Sequence, residues 1–328
     1  MPFSHPSKSS CNELVSYYAD ATKGKTILTT GVSPTSISAP FVRALATAGP
    51  RLLILAGRNL DKLQQVADEI TTAHPEVDVR LLQLDLGSLS AVRKAAEEVN
   101  VWDDVPVIDV LVTNAGIMAT PYVLSPDGYE SQFAVNHLAH FLFVNLVMDK
   151  LLASPSPRVV SATSKGHRFS PIRWGDINFD NGDTYDKWAA YGQSKTANML
   201  LAISLADKLG QKGLQAYSVH PGTIAGTGLA SHLDMSADVA LLKARDQLLG
   251  NPEGWNRVTE YVTPEQGTAT YVFAAFEPSL IERNGAYLLD CRVGDPYVDT
   301  IMPWATSSIE AERLWRLSES IVGQKFTY

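Results

Sequence analysis

Cysteine is scarce. The chain of 328 residues holds two, Cys11 and Cys291, far apart in sequence. Two thiols so placed build no disulfide framework and match no zinc spacing. No metal centre is expected, and a reducing, cytoplasmic setting fits. Charge is sparse as well. Charged residues make up 19% of the chain, the net charge is −8, and no run of Lys or Arg interrupts that acidic background. Nucleic acid is thereby excluded as an expected partner. Long apolar runs are missing too. The most apolar stretch, Phe141 to Leu152, is short and carries Asp149 and Lys150, so no membrane span is expected. The polar segment Met1 to Asn12 lacks the apolar core of a secretory signal.

What is present is a core. Hydrophobic residues reach 45%, enough to fill one substantial interior. Strands are predicted at Lys25–Thr30, Arg51–Ala56, Val79–Leu84, Val107–Thr113, Arg158–Thr163, Leu214–Val219 and Ala286–Leu289. Helical patterns are predicted at Thr35–Ala48, Leu60–Ala73, Leu89–Asn100, Asp127–Ala153, Ala189–Gly210 and near Ser307–Val322. The strands read as unbroken apolar runs, as in Leu52-Leu53-Ile54-Leu55, which means burial on both faces. Alternation of such strands with helices predicts an α/β fold with a doubly wound parallel sheet, the Rossmann fold, in a single domain spanning 1–328. The core is expected at about 22–228, with a C-terminal strand and helix added. Two stretches break the alternation, Gly166 to Lys187 and Gly222 to Thr263, and the second has helical pieces but no clear strand. Both follow strands, and ligands of doubly wound sheets bind beyond strand C-termini, so both are expected to cover a substrate, the insert at about 222–263 above all. Trp174, Trp188 and Trp255 in or beside them suit an apolar ligand.

The loop after the first strand reads Gly31-Val32-Ser33-Pro34-Thr35-Ser36-Ile37-Ser38. A glycine there lets backbone approach a pyrophosphate at a helix N-terminus. Only the first glycine is present; Thr35 and Ser38 stand where two more would be wanted. The hydroxyls could bind the diphosphate, or the added side chains could block it, or the loop could be a plain turn capped by Ser33 or Thr35. The second strand ends at Ala56-Gly57-Arg58, with a guanidinium where a site for NAD places a carboxylate. Arg58 suits a 2′-phosphate, so NADP(H) is the expected cofactor. Asp85 could meet adenine, and Asn114-Ala115-Gly116 offers a small-residue turn beside the cofactor ribose.

Tyr191 and Lys195, at i and i+4, share one helical face. A phenol is a poor base near its ordinary value of about 10, and a neighbouring ammonium lowers it. Ser164 follows the fifth strand, where its hydroxyl can bond the same substrate oxygen; Thr163 is the neighbour that could take its place. Asn136 lies in the long helix after Gly116, where its amide can hold a relay water. Pro221 and Gly222 form a turn after the sixth strand. Each residue alone has an ordinary packing role; the ordered set points to proton transfer at a carbonyl or alcohol oxygen.

Thr30-Gly31, Asp85, Asn114-Ala115-Gly116, Asn136, Ser164, Tyr191-x-x-x-Lys195 and Pro221-Gly222 together resemble the short-chain dehydrogenase/reductase family, over about Gly24 to Gly228. The runs Ser161–His167 and Tyr191–Asn198 are similar to retinol-dehydrogenase-like members and to fungal members of secondary metabolism. The resemblance implies Tyr191 as general acid/base, Lys195 on the nicotinamide ribose, Ser164 on the substrate carbonyl and Asn136 in the relay. It implies cofactor contacts from Gly31, Ser33, Thr35, Ile37, Arg58, Asp85, Asn114, Ala115, Gly116, Tyr191, Lys195, Pro221, Gly222, Thr223 and Ile224. The expected activity is NADP(H)-dependent interconversion of a ketone and a secondary alcohol on an apolar small molecule, a polyketide or terpenoid among the candidates. The altered glycine loop leaves a second possibility, a redox-neutral isomerase, dehydratase or cyclase with weakened or lost cofactor binding. Relatives often dimerise through the helices that carry Asn136 and Tyr191, so a homodimer is an expectation here.

Overall fold

The computed structural model describes residues 9–224, 226–255 and 260–328. The apolar runs form strands at Thr26–Thr30 (β1), Leu52–Gly57 (β2), Asp78–Gln83 (β3), Val110–Thr113 (β4), Arg158–Ala162 (β5) and Gln215–His220 (β6). Thr223–Ile224 (β7), Tyr261–Val262 (β8), Tyr287–Leu289 (β9) and Arg292–Val293 (β10) follow. One sheet runs β10-β9-β6-β5-β4-β1-β2-β3, parallel except where β10 turns back on β9. β1, β4, β5 and β6 are buried at every position because helices cover both faces. β3 carries Asp78, Arg80 and Gln83 because it is the edge strand.

Helices Cys11–Tyr17 (α1), Ser38–Ala46 (α2), Leu60–Ala73 (α3) and Leu89–Asn100 (α4) come from the first half of the chain. Ala139–Leu146 (α5), Lys187–Leu209 (α6), Met235–Leu249 (α7), Pro264–Phe276 (α8) and Ser308–Val322 (α9) complete the set of long ones. α1, α2, α3 and α8 pack on one face of the sheet through Leu14, Phe41, Leu63 and Tyr271. α4, α5 and α6 pack on the other through Val92, Phe143 and Leu205. The chain order reverses between β1 and β4, so a crevice opens at their C-terminal ends, where Gly31 and Asn114 stand.

Three expectations need correction. The helix expected at Asp127–Ala153 is broken: Ser131–Phe133 runs into a π-turn, Ala134–Leu138, before α5, and Met148–Leu152 follows separately. The region 222–263 does contain strand, since β7 pairs in parallel with β8. α1 and α8 had no sequence prediction; α8 is buried throughout Gly267–Phe276, so it lacks the amphipathic period that signals a helix. α9, expected near Ser307–Val322, packs on the helices that carry Asn136 and Tyr191. Ala311 and Leu314 pack with Phe133, Leu138 and Leu200, the Ser204 hydroxyl donates to Ala311 O at 3.0 Å, and Trp315 meets Phe141 edge-on at 4.9 Å.

The crevice is set by Gly31. Its φ is +74°, and a Cβ there would lie 2.6 Å from Ala115 Cα, closer than packing allows. Gly31→Ala is expected to lower stability by about 2 kcal/mol or more, from left-handed strain plus the clash. Urea titration checks this; an unchanged midpoint would show that β1 and β4 do not need this approach.

Candidate active site

The loop from Gly31 to α2 closes on itself. The Ser36 hydroxyl donates to Ser33 O at 2.8 Å and accepts from Ser33 N at 3.0 Å. Neither Ser33 nor Thr35 caps α2, whose N-cap position, Ile37, offers no side-chain bond. α1, α3, α4, α6, α7, α8 and α9 each begin on a capping side chain instead. α5 also lacks a capping side chain, but it continues from the π-turn, so among the long helices the α2 first turn is the free helix start whose amides no side chain caps, as an anion site needs. Ser38 does not point at that site. It is fully buried and accepts from Asn114 Nδ2 at 2.6 Å, while Asn114 Oδ1 accepts from the Tyr271 hydroxyl at 2.8 Å. Ser38 replaces glycine packing with a hydrogen bond and leaves the crevice open. Thr35 is exposed, with its hydroxyl oxygen 3.5 Å from where a Cβ on Gly228 would stand. Arg58 is exposed at the end of β2, and Asp85, half-buried after β3, accepts from Gly87 N at 2.9 Å.

One hydroxyl joins the nucleotide end to the chemical end. Thr30 Oγ1 accepts from Asn114 N at 3.0 Å and Ala115 N at 3.1 Å, so its own hydrogen goes to His140 Nε2 at 3.0 Å. His140 Nδ1 then carries hydrogen and donates to Asn136 O at 3.1 Å. Burial holds the His140 pKa down to about 4, so this tautomer is fixed and neutral. Asn136 sits in the π-turn, a feature frequent at functional sites. Its Nδ2 donates to Ile117 O and Ser194 Oγ, both at 2.9 Å, and its Oδ1 accepts from Ile117 N at 2.8 Å. Both amide hydrogens are thus spent, and only one lone pair of Oδ1 is left for a water. Gly116 faces this group: a Cβ there would lie 2.9 Å from Asn136 Oδ1 and 3.6 Å from Lys195 Nζ.

Tyr191 and Lys195 lie in α6 and are almost fully buried, at 6% and 5% exposure. Lys195 Nζ stands 5.6 Å from the Tyr191 ring centre and donates to Ala162 O at 3.1 Å. Two of its hydrogens remain for a ligand. Ser164 Oγ accepts from Gly166 N at 3.0 Å; a Cβ on Gly166 would fall 2.8 Å from Tyr191 Cε1 and 3.3 Å from that oxygen, so this glycine lets serine and phenol meet. Thr163 is not the partner, because its hydroxyl donates to Lys195 O at 2.8 Å. The ammonium does not dominate the phenol. Burial pushes Tyr191 up to about 12, against a smaller opposing hydrogen bond from Ser164, and burial pushes Lys195 down to about 8. Pro221 and Gly222 form the turn after β6; a Cβ on Gly222 would meet Val262 Cγ2 at 2.6 Å, and Ile224 lies against Gly267 of α8. Thr223 is exposed. His220, just before the turn, is buried and held far below its ordinary pKa, hence neutral.

Comparison with known proteins places the chain in a family. Residues 25–175 match the family model for short chain dehydrogenase. The chain is 36% identical to short-chain dehydrogenase/reductase prx1 of Penicillium rubens over 309 residues, 91% of this chain and 85% of that one. It is 32% identical to human retinol dehydrogenase 14 over 316 residues, 92% and 87% of the two chains. The chain belongs to the short-chain dehydrogenase/reductase family. A crystal structure of an uncharacterised protein from Mycobacterium paratuberculosis superposes with a TM-score of 0.68 at 28% identity, covering 93% of this chain and 96% of that one. Another relative, 34% identical over 318 residues (94% of this chain, 92% of that one), is the chloroplastic short-chain dehydrogenase TIC 32 A of Brassica napus, so membership does not assign a compartment. Among the described residues, no helix is long and apolar enough to cross a membrane.

In this family member the irregular segments close over Tyr191. Phe169, Trp188, Ala119 and Tyr191 form an apolar cluster, and Leu233 and Leu242 of the 222–263 insert pack on it. α7 is clamped to the rest by ions. Arg168 grips Asp246 through two bonds of 2.8 Å, Arg245 reaches Asp186 at 2.8 Å, and Lys187 pairs with Asp238. A cavity of about 320 Å³ lies beside the cluster, between Ala119, Pro121, Tyr185, Lys187, His232 and Leu233. Tyr191 itself does not line it, and Leu233 and Leu242 pack on the cluster that holds Tyr191. A larger cavity of about 570 Å³ is remote from this chemistry, at the β9 edge of the sheet. The tryptophans divide: Trp188 joins the Tyr191 cluster, Trp174 is tied to Glu310 of α9 at 2.6 Å, and Trp255 is exposed. His140, Ser194, Gly166 and Tyr271 were not among the residues expected at the site, and Thr30 was expected only as part of the turn motif with Gly31; their partners lie up to 157 residues away.

Asp246 is the test of the clamp. Asp246→Ala strands a buried guanidinium and is expected to loosen α7, raising the rate of limited proteolysis within the insert by roughly tenfold. A rate equal to wild type would show that α7 does not depend on the Arg168–Asp246 pair.

Proposed function

We propose that the chain is an NADP(H)-dependent oxidoreductase that interconverts a ketone and a secondary alcohol on an apolar small molecule, with polyketides and terpenoids as the substrate classes to try first. The observation that carries this reading is the pairing of Ser164 with a buried, protonated Tyr191, one turn of α6 from the Lys195 ammonium. Family membership supplies the oxidoreductase class. The residues fit a dinucleotide: α2 opens uncapped onto the crevice, and Gly31 keeps backbone close to Ala115. The inward turn of Ser38 supports this reading over a redox-neutral enzyme, whose motive then rests on Thr35 alone.

In this reading the loop residues Gly31, Ser33, Thr35 and Ile37 bring the amides of α2 to the diphosphate. Arg58 pairs with the 2′-phosphate and Asp85 meets adenine. Asn114, Ala115 and Gly116 flank the ribose side, while Pro221, Gly222, Thr223 and Ile224 border the carboxamide. NADP(H), when bound, supplies or takes up the hydride. Tyr191 holds its proton at neutral pH, since burial keeps it up to about 12, and donates it to the carbonyl oxygen as negative charge develops there. Ser164 donates to the same oxygen, and the two together orient the carbonyl. Lys195 stabilises the phenolate left behind and turns its two remaining hydrogens to the ribose hydroxyls. Asn136 accepts from a relay water through the free lone pair of Oδ1. Apolar Trp188, Phe169, Leu233 and Leu242 exclude bulk water, which strengthens each of these interactions. Trp188 Nε1 is buried without a partner in this cluster, ready to donate to an oxygen elsewhere on the substrate.

Tyr191→Phe is expected to lower kcat for ketone reduction by roughly a hundredfold or more, with the fold unchanged. Turnover near the wild-type value would remove the phenol from the chemistry. Arg58→Ala is expected to raise the Kd for NADPH by roughly tenfold while moving NADH little, as loss of a charge-assisted contact predicts. Equal effects on the two cofactors in calorimetry would refute the 2′-phosphate contact. The pH dependence follows from Lys195. Its ammonium is present below about 8 and is lost above it, so kcat/KM for NADPH is expected to fall as pH rises through 8. Stability moves the other way. A lysine whose folded pKa is depressed is charged in both states below about 8, and its burial penalty shrinks as pH rises from there toward 10.5. A profile flat to about pH 9.5 would place the lysine outside the mechanism.

A further inference from the structure

The cavity of about 570 Å³ at the β9 edge has a polar floor that no internal contact satisfies. Ser218 on β6 and Tyr287 on β9 are register partners in neighbouring parallel strands, so their side chains stand side by side on one face of the sheet. Both line this cavity. Ser218 is 1% exposed and Tyr287 is 6% exposed, and neither hydroxyl has a hydrogen-bond partner. Two adjacent orphan hydroxyls are costly to leave dry. Met199 on α6, and Ile301 and Pro303 beyond β10, supply apolar wall, beside the polar Asn284 and Thr306. Asp207, Glu282 and Arg283 stand at the exposed rim. A cavity of this size, partly apolar in its wall and ending in two neutral hydroxyls, has the composition of a small-molecule site.

We propose that this cavity is a second ligand site, separate from the crevice at Tyr191, for a small neutral molecule with an apolar body and one oxygen function, an alcohol, phenol or ketone. The oxygen is received by the Ser218 and Tyr287 hydroxyls, which can between them donate to a carbonyl or both donate to and accept from an alcohol. The body lies against Met199, Ile301 and Pro303. No charge is matched at the floor, so carboxylates and ammonium ions are poor ligands. The site does not depend on the proposed reaction, and its test uses no activity.

Two methionines report on the two sites separately. Met199 lines this cavity, and Met118 packs on the Tyr191 cluster. The full chain is labelled with carbon-13 at the methionine methyl groups and titrated with phenol as the probe. The Met199 resonance is expected to shift saturably with a Kd on the order of 1 mM. Fluorobenzene, of similar shape but without the hydroxyl, is expected to bind roughly fivefold more weakly or worse. The double variant Ser218→Ala with Tyr287→Phe is expected to lose the same factor for phenol and to leave fluorobenzene nearly unchanged. The comparison of the two probes on the wild-type chain stands even if the variant does not fold. Equal affinity for both probes, or a shift of Met118 with Met199 unmoved, would overturn the proposal. So would a crystal soaked with phenol that shows only water on both hydroxyls. A Met199 resonance that moves with protein concentration and not with phenol would place a second copy of the chain in the cavity instead.

Discussion

Gly31 and Ala115 can touch because Thr30 holds their strands at one distance. Its hydroxyl accepts from two amides of the loop after β4 and donates to a buried, neutral histidine, which in turn pins the carbonyl of Asn136. Every partner in that chain is fixed by donor and acceptor counting, so one arrangement is possible. The nucleotide crevice and the π-turn are therefore not independent features of the fold. A rotation of either would leave a buried amide or imidazole unpaired, at a cost comparable to a substantial share of the folding free energy.

Burial sets the chemistry of the site more than charge does. A tyrosine four residues from a lysine invites the idea that the ammonium makes the phenol acidic. In the closed chain both are nearly solvent-free, and desolvation moves each toward its neutral form. The phenol becomes a group that keeps its proton at neutral pH. The insert contributes by placing Leu233 and Leu242 on that cluster, and the buried Arg168–Asp246 pair fixes α7 in place. A clamp made of ions around an apolar lid can be released and reformed, which suits a site that must admit a substrate and then exclude water.

Much of this was legible. Unbroken apolar strands predicted the parallel sheet, and the strands from β1 to β6 fall within a few residues of their expected places. Leu60–Ala73 and Leu89–Asn100 begin after Asn59 and Ser88, strong capping residues, and their bounds match the expectation. The helix at Pro264 also opens on a capping box, Thr263 with Gln266, yet its even burial on all sides hid its period. The break at Ala134–Leu138 carries no proline or glycine, so local sequence offered no cue for it. Ser38 was the residue most easily misjudged: beside a phosphate loop it looks like an obstacle, and only its distance to Asn114 shows otherwise.

Sequence alone indicated the strands from β1 to β6 and β9, because each is a local apolar run, and it nominated Ser164, Tyr191, Lys195 and Asn136 through their resemblance to a family motif. Tertiary structure decided which way the hydroxyls of Ser38 and Thr163 turn, which groups stay protonated, and that the C-terminal helix lies over the helices that carry Asn136 and Tyr191. Those outcomes depend on partners tens to hundreds of residues distant, and on how much water the packed chain leaves around each group.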